Sequence, residues 1–192
     1  MEWTEEDHEA LLSFKNNIDS DDIKVKEQIK RVLLSNRLII HALANTELEK
    51  AEAEPDEYFN VNILPFYLVE PTQTNVKNYI CYEVGYDRIS NYNKSRKILE
   101  VTFYVLCEQA NIIDDETGLA RHDLLASLIQ YQFNYTNYIG GGKIELVSDI
   151  PSVVDKKFST RTLVFQQVTD NNLVKTRDGV PKLANKEIHT LG

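Results

Sequence analysis

Cysteine is scarce: only Cys81 and Cys107 occur, both inside runs that alternate like strands. Neither has the close Cys or His neighbours that a zinc site needs, so both are expected to be buried, reduced thiols. Basic side chains are outnumbered, 21 against 30 acids, for a net charge of −9. That balance argues against gripping nucleic acid by neutralising phosphates. It is compatible with lining a passage for DNA, because like charge keeps a passing polymer from sticking. No apolar run reaches the roughly 20 residues that span a bilayer. The start, "MEWTEEDHEALL", is acidic and lacks a basic leader region, so the expectation is a chain made and kept in a cytoplasm. Proline is sparse and acts as punctuation, at Pro55, Pro65 and Pro71.

What is present reads as alternating order. Thr4 can cap a first helix, with Glu5, Glu6 and Asp7 in its first turn. Leu11, Leu12 and Ile18 give it an apolar side, and Ser20 is a candidate cap for the next helix. "IKVKEQIKRVLLSNRLIIHALAN" then predicts one amphipathic helix over 23–45, with Val25, Ile29, Val32, Leu33, Asn36, Ile40 and Leu43 on one stripe. "ELEKAEAEPDEYFN" predicts a fraying helix end and a loop. "VNILPFYLVEPTQTN" is irregular or an edge strand, because of its prolines.

"NYICYEVGYDRI" and "RKILEVTFYVLCE" flank a polar turn and predict a long hairpin. In the second strand, Leu99, Val101, Phe103, Val105 and Cys107 share one face; Glu100, Thr102, Tyr104, Leu106 and Glu108 share the other. An acidic loop, "NIIDDETG", leads to a helix with Leu124, Leu125, Leu128 and Ile129 on one side, started by Asp115 or Thr117. A glycine loop, Gly140, Gly141 and Gly142, precedes a short strand through Ile144 and Leu146 that stops at Pro151. "FSTRTLVFQQV" is the last strand. The order predicts an α+β fold: an antiparallel sheet of about four strands with helices on one face. The expected organisation is an N-terminal helical segment at 1–50, a core domain at 58–169 and a C-terminal arm at 170–192.

No catalytic constellation emerges. His8, His41, His122 and His189 are not paired at ligand spacing, and His122 and Asp123 are sequence neighbours, which do not face each other on a helix. The glycine loop lacks the Gly-Lys-Ser/Thr ending and the following helix of a phosphate loop. Asp114, Asp115 and Glu116 lack the alternate spacing of a calcium loop. A small metal-dependent nuclease would need a Glu-x-Lys strand, and neither Glu100 nor Glu145 has a lysine two places on. The expectation is therefore a protein without metal or cofactor that is not an enzyme.

The phrasing as a whole is more telling. "LLSNRLIIHALAN", the proline-marked "ILPFYLVEPTQTNVKNYICYEV", "KILEVTFYVLCEQ", "TGLARHDLLASLI", "GKIELVSD" and "FSTRTLVFQQV" follow one another from about Ile29 to Thr169. This series resembles the tail-terminator, or tail-completion, proteins of long-tailed bacteriophages. The resemblance implies an α+β subunit that forms a hexameric ring, caps the tail tube protein and docks on the head-side connector or neck protein. Genomic DNA would pass the lumen without specific binding, no membrane would be involved, and the protein would lie at the virion's head–tail junction after assembly in the host cytoplasm. The long N-terminal helices and the arm depart from smaller members, which leaves a neck protein one layer away as the alternative. Expected interface residues are Glu100, Tyr104 and Glu108 on the outer strand face, Asp114 and Asp115 in the acidic loop, Gly140, Gly141 and Gly142 in the glycine loop, and Tyr131 and Tyr135, with Tyr138 beside them. A ring needs two unlike flanks, and tyrosine suits contacts that are apolar on one side and wet on the other.

Overall fold

The computed structural model describes residues 4–9, 12, 21–67, 78–89, 96–140, 142–154 and 157–170. Ser20, Gly141 and all but the first residue of the expected arm lie outside that set. The first helix, α1, is described at residues 5–9 and 12. Thr4 caps it as expected: its Oγ1 accepts from the Asp7 amide, and its own amide donates to the Asp7 carboxylate.

The predicted single helix over 23–45 is two helices, α2 (Asp21–Ser35) and α3 (Arg37–Ala42). Asn36 breaks it. Its backbone is extended, and its Oδ1 accepts from the amides of Leu38 and Ile39, so the asparagine that sat on the apolar stripe is the cap of α3. Its amide also donates to Gln132 at 3.0 Å, across to a later helix. An Asn36→Ala substitution is expected to cost about 1–2 kcal/mol of stability, from the lost cap and the lost tie, read by urea denaturation. Asn45 repeats the device. It caps α4 (Thr46–Lys50), where the sequence had predicted a fraying end. A 3-10 turn, Pro55–Tyr58, follows.

The sheet has five strands: β1 (Ile63–Leu64), β2 (Asn78–Ile89), β3 (Arg96–Glu108), β4 (Glu145–Val154) and β5 (Phe158–Asp170), in the order β1-β2-β3-β5-β4. All pairings are antiparallel except β1 with β2. Thus the proline-marked segment supplies an edge strand of two residues, a fifth and parallel member. The strand expected to stop at Pro151 continues through it to Val154. It can do so because β4 is the opposite edge, where a missing amide costs no ladder bond on its free side.

Helix α5 (Arg121–Phe133) and the α2–α3 pair cover one face of this sheet. The core between them contains Ile29, Leu33, Ile39 and Leu43 from the helices, Leu125, Ile129 and Phe133 from α5, and Leu99, Val101, Phe103, Val105 and Cys107 from β3. The inner face of β3 is the one the alternation predicted. Burial pushes the Cys107 thiol up to about 12, so it is inert at neutral pH. Behind the sheet lies a second, smaller cluster of Leu64, Cys81, Leu106 and Phe158. The two cysteines therefore sit on opposite faces of the sheet, both buried.

Three buried asparagines tie the helices to the strand edge. Asn45 donates to Asn62 Oδ1 at 2.7 Å, Asn62 donates to the Asn78 carbonyl at 2.9 Å, and Asn78 donates to the Leu43 carbonyl at 2.8 Å. Each of the three side-chain NH2 groups thus finds an acceptor, while Asn78 Oδ1 is buried without a partner among the described residues.

Candidate functional site

Three surfaces hold the residues singled out from the sequence: the acidic loop, the glycine loop and the outer face of the sheet.

The acidic loop is a tight turn. The Asp114 amide donates to the Leu119 carbonyl, and the Gly118 amide donates to the Asp114 carbonyl at 2.8 Å. Gly118 has a φ of 67°, a left-handed conformation that glycine adopts without strain. Thr117, expected to start the following helix, instead donates from its hydroxyl and amide to Asp114 Oδ2, at 2.7 and 3.0 Å. Helix α5 begins at Arg121 with no side-chain cap.

Arg121 is buried. It donates to Asp114 Oδ1 at 3.0 Å and to the carbonyls of Ala42, Ile113 and Asn111. One guanidinium thus joins α3, the loop and α5. Asp114 points inward as its partner, whereas Asp115 and Glu116 are exposed. A notch of about 270 Å³ lies over this pair, lined among others by His41, Glu49, Asp115 and Glu116; His41 Nε2 is 3.3 Å from Glu116.

A second cationic clamp ties α5 to the edge of the sheet. Arg161 of β5 makes a two-pronged contact with Asp149 of β4, at 2.6 and 2.8 Å, and also donates to Asp123 of α5. Gln130 adds a donor to Asp149 at 2.7 Å. Asp114 and Asp149 are held below the ordinary aspartate value of 3.8, Asp114 mainly by the Thr117 hydroxyl and Asp149 mainly by Arg161. A depressed folded value stabilises the fold fully above the ordinary value, and that stabilisation is lost as pH falls through the folded one. Stability is therefore expected to hold from neutrality to about pH 4 and to drop below it. Thermal unfolding across pH 2–6 reads this, and Asp149→Asn should flatten the drop.

The glycine loop follows α5. Gly140 has a φ of 127°, which restricts the position to glycine. Gln167, buried on β5, donates to the Gly142 carbonyl and so anchors the loop to the sheet.

A family model, YomW, matches residues 21–167. The chain belongs to the YomW family. No curated protein matched it. The YomW family is of a Bacillus phage type, and the match runs from the first residue of α2 to Gln167 in β5. It takes in both arginine clamps, the glycine loop and four of the five strands whole.

In this YomW chain the outer sheet face is only partly bare. Leu106 is buried in the second cluster, and the Tyr104 ring lies 4.5 Å from the Tyr67 ring of the chain's own 64–67 segment. Lys26 fastens that segment by donating to the Pro65 carbonyl and to Glu83, at 2.7 and 2.8 Å. Glu100 is half-buried and accepts from Gln166; Glu108 is half-buried, 3.5 Å from Lys157. Tyr131, Tyr135 and Tyr138 stand exposed at the end of α5 and in the loop after it. The described residues thus place the expected positions on separate surfaces rather than in one cavity. Among them, no group of three or more His, Cys, Asp or Glu is arranged to hold a metal ion, and no helix is long and apolar enough to cross a membrane.

Neither arginine clamp was foreseen. A signal for one existed: in "FSTRTLVF", Leu163 and Phe165 face the core, so alternation puts Arg161 on the same face, where a guanidinium requires carboxylate partners. Arg121 gave no such sign, because a base in the first turn of a helix opposes the dipole and reads as solvated.

Proposed function

We propose that this chain is a structural protein of a phage virion's head–tail junction. In this reading it is the subunit of a hexameric ring that terminates the tail tube and joins it to the head connector. The carrying observation is the match to a phage-type family over residues 21–167. The geometry supports it in two ways. Helices cover one sheet face while much of the other stays half-buried or exposed, which provides the unlike surfaces a ring subunit needs. The net charge of −9 suits a lumen through which DNA slides.

Electron microscopy of particles assembled with and without the protein tests the reading. Tubes of unregulated length in its absence support termination. Tubes of normal length that fail to join heads place the protein in the head-side neck layer instead. Normal, joined particles lacking the protein altogether refute both. Within the reading, Glu108→Gln is expected to leave the melting temperature unchanged and to lower the yield of joined particles, because among the described residues the Glu108 carboxylate makes one long contact, with Lys157.

A further inference from the structure

The outer face of the sheet is covered at one end and open at the other. At the covered end, Leu64 and Tyr67 of the chain's own 64–67 segment meet Leu106 and Tyr104. At the open end, Ile98, Glu145, Val147, Gln166 and Val168 line a groove of about 370 Å³, with Lys143 at its side. Val147 and Val168 are 53 and 57% exposed. Strand pairing sets Ile98 beside Val168, and sets Gln166 between Glu100 and Glu145. Side chains paired in this way share a face. The open end therefore combines β-branched apolar side chains with two carboxylates, against the single ammonium of Lys143.

The chain leaves the sheet at the rim of this groove. Strand β5 ends at Asp170, two residues past Val168. Residues 171–192 follow, outside the described set. They begin with Asn171 and Asn172, which favour turns, and continue as Leu173, Val174, Lys175, Thr176 and Arg177, two apolar side chains and two bases with no acid. Residues 171–192 hold four bases and two acids, a net +2, which leaves 17 bases and 28 acids, a net −11, on residues 1–170.

We infer that residues 173–177 of the C-terminal arm fold back onto the open end of the outer sheet face in the same chain. A two-residue turn at Asn171 and Asn172 returns the chain along β5. Counting back from Asp170, Val174 then comes within a residue of Val168, and Arg177 comes level with Gln166, in the row flanked by Glu100 and Glu145. The apolar side chains meet the apolar part of the groove, and the bases meet its carboxylates. The short tether makes the encounter intramolecular, at an effective concentration on the order of millimolar, so a small contact suffices. A second copy presenting the same groove would instead set Glu100 and Glu145 against their own images. The contact lies within one chain, so it goes beyond the assembly role and stands or falls apart from it.

The test uses the full chain. A photo-crosslinking amino acid at position 174 is expected to give a product of monomer mass, with the link mapped by peptide mass spectrometry to residues 98–100, 145–150 or 166–168. Trypsin should cut after Lys175 and Arg177 about tenfold faster in the double variant Val168→Ser with Glu145→Gln than in wild type, because the groove has lost an apolar contact and a charge. Both side chains are exposed, so the circular dichroism spectrum should not change, which separates a released arm from a lost fold. Links found at dimer mass give the groove to the arm of another copy and overturn the inference. Links elsewhere on the chain, or none, overturn it as well. So does equal cutting of wild type and double variant.

Discussion

Replacing Phe103 by alanine is expected to cost about 3–5 kcal/mol, the range for a fully buried aromatic residue. Its ring lies at the centre of the core, 5.0 Å from Phe133 of α5, 5.7 Å from Phe165 of β5 and 6.2 Å from Tyr82 of β2. Truncation would therefore open a cavity shared by three strands and a helix that cannot all close in on it. Phe103→Asp should go further and leave no folded protein. An unpaired carboxylate at that site would be buried among the rings of Phe133, Phe165 and Tyr82, and its burial competes with a total stability of only about 5–15 kcal/mol. Urea denaturation followed by circular dichroism reads the alanine variant, and one-dimensional NMR dispersion reads the aspartate variant. An alanine variant within about 0.5 kcal/mol of wild type would mean that the core is not packed as described.

Arg121→Met should be nearly as damaging, at about 3–5 kcal/mol, although it replaces a charge by an apolar chain of similar length. The loss is not the attraction of one ion pair. It is what remains behind: a buried Asp114 carboxylate with Thr117 as its one remaining donor among the described residues, and the Ala42, Asn111 and Ile113 carbonyls without the guanidinium. The double variant Arg121→Met with Asp114→Leu is expected to recover part of the loss, because removing both charges removes the desolvated orphan. Equal stability of single and double variants would show that the pair is not coupled. Asp114 and Asp115 are adjacent and were read together as interface residues, yet the fold gives them different tasks. Asp114 is bound up in positioning α5, and any contribution to assembly from this loop falls to Asp115 and Glu116 on the surface.

Much of the fold was legible because the periods are clear. Every inner-face residue of β3 from Leu99 to Cys107 is buried, and Val25, Ile29 and Leu33 recur at helical spacing. Periodicity misled where a polar residue took an apolar position. Asn36 fits the stripe of a continuous helix, and its preference for a cap is visible only if that fit is ignored. Pro151 misled in the opposite direction, since a proline stops a central strand but not an edge strand, and the edge position of β4 is a property of the whole sheet. The site residues were less legible. Tyr131 and Tyr135 were singled out from residue type alone, and their exposure is a property of the folded chain.

Local chemistry was enough to indicate most of the helix and strand segments and which side of each turns inward. Those features depend on residues within a few positions of one another. Which strands become neighbours, that β1 runs parallel, that Leu106 and Tyr104 are covered by the chain's own 64–67 segment, and that Arg121 and Arg161 each find an aspartate are outcomes of the assembled chain. They join groups far apart in sequence, and buried charges and half-apolar faces accept whichever partners the packing brings, a choice that no local pattern encodes.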